Sequence, residues 1–170
     1  MIKLIDGKGQ LGDTLDSLIR KEKQNTNAII YHTWNFLDKS EKTQKKCYEE
    51  FRKFVDENPN SKIVFISTYS QTENYYNFYK QFSEAYLLTN NQRGYVMKLP
   101  ILIGKGICQK FRDGETEAFG EMEIMTIEDA AKNVLKFTQD NSLIKSISVK
   151  GTPIPANIVK NLILFGRDGK

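Results

Sequence analysis

The chain has 170 residues, 39% of them hydrophobic, which is enough for one hydrophobic core and short for two domains. The net charge of +4 is small and the lysines are interspersed with acidic residues, so the composition does not indicate a nucleic-acid partner. No apolar run is long enough to cross a bilayer and no signal-type segment opens the chain, so we expect a cytoplasmic protein without membrane insertion.

The first predicted elements are a strand over residues 1–6, a glycine-rich turn and an amphipathic helix. The turn reads GKGQLG from Gly7 to Gly12. In a strand-turn-helix unit, such glycines permit a tight turn, close approach of the backbone to a pyrophosphate, and close packing of the helix on the strand. The pattern predicts a phosphate-binding turn, and the alternative is a purely structural turn.

The second predicted strand, residues 28–31, lacks the acidic residue of a dinucleotide site. That pattern places Asp or Glu about 20 residues beyond the glycines, where it binds the ribose of the adenosine. Here the strand ends in His32, Thr33 and Trp34, with neither an acid nor an adjacent arginine. The linker over residues 21–27 is too short to contain a further strand and helix.

The next segments predict a helix over residues 40–56 with Ser40 as its N-cap, and then a buried strand over residues 62–66. The continuous apolar run of this strand is typical of a parallel sheet that is covered on both faces. The strand leads into Ser67 and Thr68.

A predicted helix over residues 74–91 carries Tyr76 and Lys80, which are four residues apart and therefore share one helix face. Together with a hydroxyl at the preceding strand end, they could form a proton-transfer trio in which the lysine lowers the pKa of the phenol. The alternative is that Tyr76 belongs to an aromatic helix face. A Tyr-x-x-x-Lys spacing by itself is common by chance.

The remaining segments complete an α/β fold. They predict a strand over 94–103 that bends or ends at Pro100, a loop over 111–120, a strand over 121–125, a helix over 126–138, a strand over 144–149, a turn over 151–155 and a helix over 156–165. This order, with right-handed crossovers, predicts a miniaturised Rossmann-like open parallel sheet with helices on both faces.

Metal chemistry is not expected from the sequence. His32 is the single histidine, and Cys47 and Cys108 are too far apart to form a Cys-x-x-Cys pair. Both cysteines are interpreted as small core residues.

Taken in order, these segments resemble the extended short-chain dehydrogenase/reductase family, the NAD-dependent epimerases and dehydratases, and especially its dTDP-4-dehydrorhamnose-reductase-like branch, in a truncated form. The resemblance is carried by the GQLG turn, the IIYH strand, the FIST strand end, the Tyr-x-x-x-Lys-x-x-x-Glu helix, the KLPILIG run and the IMTIEDAA helix start. A flavodoxin-like or receiver-like domain is disfavoured because no flavin phosphate loop and no acidic pair are present.

The resemblance implies roles for particular residues. Tyr76 would transfer the hydroxyl proton, Lys80 would lower the pKa of Tyr76 and bind the nicotinamide ribose, and Thr68, rather than Ser67, would orient the carbonyl oxygen. The implied cofactor is NAD or NADP, and the implied cofactor-binding residues are Gly7, Gly9, Gln10, Leu11, Gly12, His32, Lys80 and Pro100.

The resemblance further implies a nucleotide-sugar substrate in cell-surface polysaccharide biosynthesis and a homodimer through helices 40–56 and 74–91. The second and third strands of the family, which hold the adenosine half of the cofactor, look deleted. We therefore interpret residues 1–170 as a single truncated domain, with a core over 1–106 and a remnant of the substrate lobe over 107–170. The alternative function is a cofactor-poor binding or assembly module without redox activity.

Overall fold

The computed structural model describes residues 1–5, 7–23, 25–68, 70, 72–104, 111–114, 120–141 and 143–165. The elements are β1 (Ile2–Ile5), α1 (Gln10–Lys21), β2 (Ala28–Tyr31), α2 (Glu41–Glu57), β3 (Ile63–Thr68), α3 (Tyr75–Asn90), β4 (Gly94–Leu99), β5 (Ile101–Ile103), β6 (Glu121–Thr126), α4 (Ile127–Gln139), β7 (Ser146–Ser148), β8 (Thr152–Pro155) and α5 (Ala156–Phe165). The predicted N-caps are confirmed for α2 and α4, where Ser40 and Thr126 accept hydrogen bonds from the N–H groups of Thr43 and Asp129.

The main sheet has five strands in the order β1-β2-β3-β4-β7, and every neighbouring pair is parallel. The predicted open parallel sheet is therefore confirmed. A second sheet contains three strands in the order β5-β6-β8. Pro100 separates β4 from β5, so the predicted strand over residues 94–103 contributes to both sheets.

One prediction in the carboxyl-terminal part is wrong. Residues 151–155 were expected to form a turn, but β8 occupies most of this run and pairs antiparallel with β6. The two prolines of β8, Pro153 and Pro155, are tolerated because β8 lies at the edge of the small sheet, where a missing N–H need not break a ladder.

Successive side chains of each main-sheet strand point to opposite faces of the sheet, so the core has two layers. On one face, α1 and α4 pack on Ile30, Val64 and Ile66. On the other face, α2 and α3 pack on Tyr31 and Phe65. The main sheet is therefore covered by helices on both faces, as predicted.

The crossovers, however, are not all right-handed. β1, β2, β3 and β4 follow one another in one direction across the sheet, whereas α1 lies on one face and α2 and α3 lie on the other. Successive crossovers in one direction through opposite faces have opposite hands. Because right-handed crossovers are strongly favoured, we assign the left-handed connection to β1-α1-β2 and the right-handed ones to the units through α2 and α3.

Close packing at the glycine turn holds α1 against the end of β1. A Cβ at Gly12 would lie 1.9 Å from the carbonyl oxygen of Gly7, so only a glycine permits this approach. Gly9 has a φ of 93°, and a Cβ there would meet nothing within 4 Å. The two glycines therefore serve different purposes, which are close contact at Gly12 and backbone conformation at Gly9.

We expect Gly12→Ala to destabilise the fold more than Gly9→Ala. The first change pushes α1 away from the turn and should lower the free energy of unfolding by about 3 kcal/mol. The second only strains the backbone at a positive φ and should cost about 1 kcal/mol. Urea unfolding of the two variants beside the wild type measures both losses, and equal losses would contradict this account of the turn.

Candidate functional site

A cavity of about 760 Å³ opens at the carboxyl ends of the main-sheet strands. Most of the predicted site residues line it, namely Gly9, Gln10, Leu11, His32, Thr68, Tyr76, Lys80 and Pro100. Gly7 and Gly12 do not line the cavity and instead pack against each other behind its wall. The structure thus brings residues of the glycine turn and of the Tyr-x-x-x-Lys helix to one cavity.

Lys80 is the most buried charged group of the site, with 4% of its surface exposed. Its Nζ donates a hydrogen bond of 2.7 Å to the carbonyl oxygen of Ile66 in β3. The ring centroids of Phe65, Trp34 and Tyr76 lie 4.7, 5.0 and 5.8 Å from the same nitrogen. Burial lowers the pKa of Lys80 to about 7, although nearby Glu84 and Cys47 act in the opposite direction.

Tyr76 remains a protonated phenol at neutral pH. Burial raises its pKa to about 12, because desolvation disfavours the phenolate. The expected lowering of this pKa by Lys80 is therefore not what this geometry produces. A phenol in this state can donate a proton to a substrate oxygen, and the raised pKa makes its conjugate base a strong proton acceptor.

The two hydroxyls at the end of β3 have different surroundings. The hydroxyl of Ser67 donates a 2.6 Å hydrogen bond to Oε1 of Glu84 inside the protein. Thr68 is only half-buried, and its hydroxyl oxygen accepts a 3.2 Å hydrogen bond from the N–H of Ser70. The hydroxyl proton of Thr68 is thus available for a ligand, which supports the choice of Thr68 over Ser67.

Glu84 links three elements beneath the cavity. Besides accepting from Ser67 of β3, its Oε2 lies 2.6 Å from Nζ of Lys98 in β4. The pair is mostly shielded from water, so it is a firmer link than an exposed ion pair. The network holds α3 in register with the ends of β3 and β4, and it thereby positions Lys80 one turn and Tyr76 two turns earlier on the helix.

The segment after β2 covers the buried lysine. Nε1 of Trp34 donates a 2.7 Å hydrogen bond to the fully buried side chain of Gln44, whose own amide donates to the carbonyl oxygens of Asn35 and Asp38. His32 lies at the start of this segment. Its burial and the charge of Lys80 lower its pKa to about 4, so the imidazole is neutral and can accept or donate hydrogen bonds.

The glycine turn forms the opposite wall. The N-cap residue of α1 is Gly9, which has no side chain to cap the helix, so the first N–H groups of α1 rely on other partners. Because a Cβ at Gly9 would point into open space, the backbone of the turn is accessible to a ligand. Lys8 lines the cavity at the same turn. These features fit the phosphate groups of a nucleotide.

Neither a metal site nor a membrane-spanning helix is found in the described part of the chain. No group of three or more His, Cys, Asp and Glu side chains there could hold a metal ion. Among the described helices, none is long and apolar enough to cross a membrane. Cys47 is half-buried on α2, and Cys108 lies outside the described residues.

No protein-family model matches the chain, and no curated protein matches it. Solved structures match nearly its whole length. The dTDP-4-dehydrorhamnose reductase of Bacillus anthracis in complex with NADP is 16% identical, with a TM-score of 0.76 over 99% of this chain and 81% of that chain. The UDP-N-acetylglucosamine 4-epimerase of Bacillus cereus is 14% identical, with a TM-score of 0.67 over 99% and 85%.

A third match is WbmG of Bordetella bronchiseptica in complex with NAD and UDP, which is 10% identical, with a TM-score of 0.69 over 99% of this chain and 78% of that chain. The chain has the fold of NAD(P)-dependent sugar-nucleotide epimerases and reductases. The resemblance inferred from the motifs is thus confirmed at the level of the fold. Identities this low show the fold alone, because one fold can host many activities.

Among the site residues, Phe65 and Ile127 were not predicted from the sequence, whereas Trp34 and Leu102 lie in runs that were expected to gather at the carboxyl ends of the strands. Trp34 and Phe65 enclose the amine of Lys80, and Leu102 and Ile127 contribute apolar wall from the second sheet and α4. The signal for Trp34 was its position two residues after His32 at a strand end, and the signal for Leu102 was its position just after Pro100. Ile127 gave no comparable signal, because its approach depends on how α4 packs.

The buried amine of Lys80 predicts a pH dependence of stability. Between about pH 7 and its ordinary pKa of 10.5, the unfolded chain binds a proton at Lys80 that the folded chain releases, so stability should rise with pH in this window. From pH 7 to pH 9, the wild type should gain on the order of 1–2 kcal/mol more than Lys80→Met.

Urea unfolding at the two pH values measures this difference. Lys46→Met is the matched control, because Lys46 is exposed on α2 and should leave the pH dependence of the wild type unchanged. The same pH slope in Lys80→Met and wild type would show that Lys80 titrates normally.

Proposed function

We propose that the chain is an NAD(P)-dependent oxidoreductase that acts on a nucleotide-sugar, as an epimerase, dehydratase or reductase. The observation that carries the proposal is the meeting of Thr68, Tyr76 and Lys80 with the glycine turn around one cavity. A proton-transfer group, a hydroxyl donor and a phosphate-binding turn are the parts that such chemistry needs from a protein. The folds of enzymes crystallised with NADP or with NAD and UDP support it.

In this proposal, the bound nicotinamide supplies or accepts the hydride at a sugar carbon. Tyr76 gives the proton to the carbonyl oxygen during reduction and takes it back during oxidation. Thr68 donates a hydrogen bond to the same oxygen and thereby fixes its direction. Lys80 lies one helical turn from the phenol, and it would hold the ribose of a bound cofactor in place of its hydrogen bond to the carbonyl of Ile66.

The glycine turn holds the phosphates next to Lys8, and His32 and Pro100 complete the walls. The part of the wall that includes Leu99 and Leu102 is mostly apolar, and it excludes water from the reacting atoms. Leu11 contributes to the same wall from α1, where it is almost fully buried.

We further propose a substrate from cell-surface polysaccharide biosynthesis and a cytoplasmic location. Both follow from the kind of enzyme that shares the fold, since nucleotide-sugars are the activated donors for such polymers. Residues 1–106 would form the catalytic core of a single truncated domain over 1–170. The part over 107–170, with β6, β8 and their small sheet, would be what remains of a substrate lobe.

A second candidate function is a binding or assembly module without redox activity. It is favoured by one observation, which is that the amine of Lys80 is already bound by a backbone carbonyl and enclosed by aromatic rings. A module of this kind would bind a nucleotide-sugar in the same cavity and leave Tyr76 unused. Turnover, rather than binding, separates the two functions.

Titration with NADH and NADPH tests the proposal. We expect binding by the wild type and by Tyr76→Phe, and loss of binding in Gly9→Asp, whose carboxylate would repel the phosphates at the turn. With a nucleoside-diphosphate keto-sugar, Tyr76→Phe should oxidise NADH at least about 100-fold more slowly than the wild type. Absence of NADH and NADPH binding at millimolar concentration would end the oxidoreductase proposal, and binding without turnover would favour the module.

We propose that the chain forms a homodimer through the helices predicted at 40–56 and 74–91, which are α2 and α3 here. Tyr48 of α2 packs against Tyr79, Phe82 and Tyr86 within the chain. On the outer side, Tyr75, Phe78 and Phe82 of α3 remain 49%, 50% and 50% exposed. An aromatic patch of this kind is typical of an interface.

Phe78→Glu should convert the dimer to a monomer at micromolar concentration, because it places a charge in the aromatic patch. Light scattering after size exclusion measures the mass of each species. Leu143→Glu serves as the control, since Leu143 is 92% exposed outside this patch. A wild type that is already monomeric at this concentration would contradict the dimer.

A further inference from the structure

We infer that the cofactor site is a half-site, which binds the nicotinamide mononucleotide part of the cofactor and in which the described residues offer no contact to the adenosine part. The inference rests on the proposed function, because it concerns the same cavity. It adds the identity of the ligand unit that the cavity recognises. It also predicts that the chain does not discriminate NAD from NADP.

The first observation is the position of β1 at the edge of the sheet. β1 pairs with β2 along its whole length, from Ile2↔Ala28 to Ile5↔Tyr31, and no described strand lies on its other side. In an open parallel sheet, ligands bind at the carboxyl ends of strands on both sides of a switch point. With no described strand beyond β1, one side of that crevice has no described strand ends.

The second observation is the chemistry at the end of β2. His32 is neutral because its pKa is lowered to about 4, and the hydroxyl of Thr33 donates a 3.0 Å hydrogen bond to the carbonyl oxygen of Ile5. Trp34 turns inward to Gln44. His32, Thr33 and Trp34, which follow β2 directly, therefore present neither a carboxylate for ribose hydroxyls nor a cation for a 2′-phosphate.

The third observation is where the cavity ends. Its wall runs from Tyr76 and Lys80, past Thr68 and Pro100, to Gly9 and Lys8 at the glycine turn. Among the described residues, none of α1 beyond Leu11 and none of residues 22, 23 and 25–27 lines it. With its phosphate at the turn, the nicotinamide mononucleotide part would lie against this wall, whereas an adenosine attached to that phosphate would extend past the turn.

The consequence for binding is specific. Groups that make no contact add no affinity, so reduced nicotinamide mononucleotide, NADH and NADPH should have dissociation constants within about threefold of one another. ADP-ribose, which lacks the nicotinamide, should bind at least about tenfold more weakly than NADH. A complete dinucleotide site would instead favour NADH over the mononucleotide by about 100-fold or more.

Calorimetric titration of the full chain with these four compounds tests the inference, and saturation-transfer NMR provides a second readout. For bound NADH, we expect saturation transfer from the protein to the nicotinamide protons and none to the adenine protons. Lys8→Ala should weaken reduced nicotinamide mononucleotide and NADH by the same factor, because both place a phosphate at the turn. Lys23→Ala is the control, since Lys23 lies in the exposed linker outside the cavity and should change neither affinity.

The outcomes separate this inference from the proposed function. If NADH binds about 30-fold or more tightly than reduced nicotinamide mononucleotide, or if its adenine protons are saturated, adenosine has a binding surface and the half-site is overturned. A similar ratio between the dissociation constants of NADH and NADPH would overturn the half-site as well. If none of the nicotinamide compounds binds, the proposed function falls together with the half-site.

Discussion

The amine of Lys80 is the constraint around which the site is built. It lies in the interior without a carboxylate in direct contact, and it is stabilised by the carbonyl of Ile66 and by the faces of aromatic rings. An amine this deeply buried must give up much of its charge, which is why its pKa falls toward neutrality. Any ligand that offers hydroxyl oxygens to this nitrogen would compete with a single carbonyl, so the lysine is held in place without being permanently saturated.

The surrounding elements can be understood as supports for that buried group. Glu84 ties α3 to Ser67 and Lys98, and Gln44 holds Trp34 in the segment that covers the amine. Both supports are buried polar side chains whose hydrogen bonds cross between elements, so they set the positions of α2 and α3 relative to the sheet. The protonated phenol of Tyr76 is a consequence, because the apolar surroundings that depress the pKa of the lysine also raise that of the tyrosine.

Much of this arrangement could be predicted from the sequence because it depends on local patterns. The glycine run, the apolar strand before Thr68 and the spacing of Tyr76 and Lys80 each indicate one element, and parallel strands bring their ends together. The pKa of Tyr76 could not be predicted in this way, since it depends on burial in the folded chain. The same holds for β8, whose prolines suggested a turn and whose pairing with β6 is a long-range contact.

The left-handed connection from β1 through α1 to β2 determines which strands border the site. A right-handed connection from α1 would carry the chain to the outer side of β1, where a dinucleotide fold places its adenosine-binding strands. Here β2 lies on the inner side instead and pairs directly with β1. α1 lies on its face of the sheet because Leu11 and Leu15 pack in the core layer there. The contact between Gly12 and Gly7 joins α1 to the end of β1, although no further strand lies beyond β1 in the described sheet.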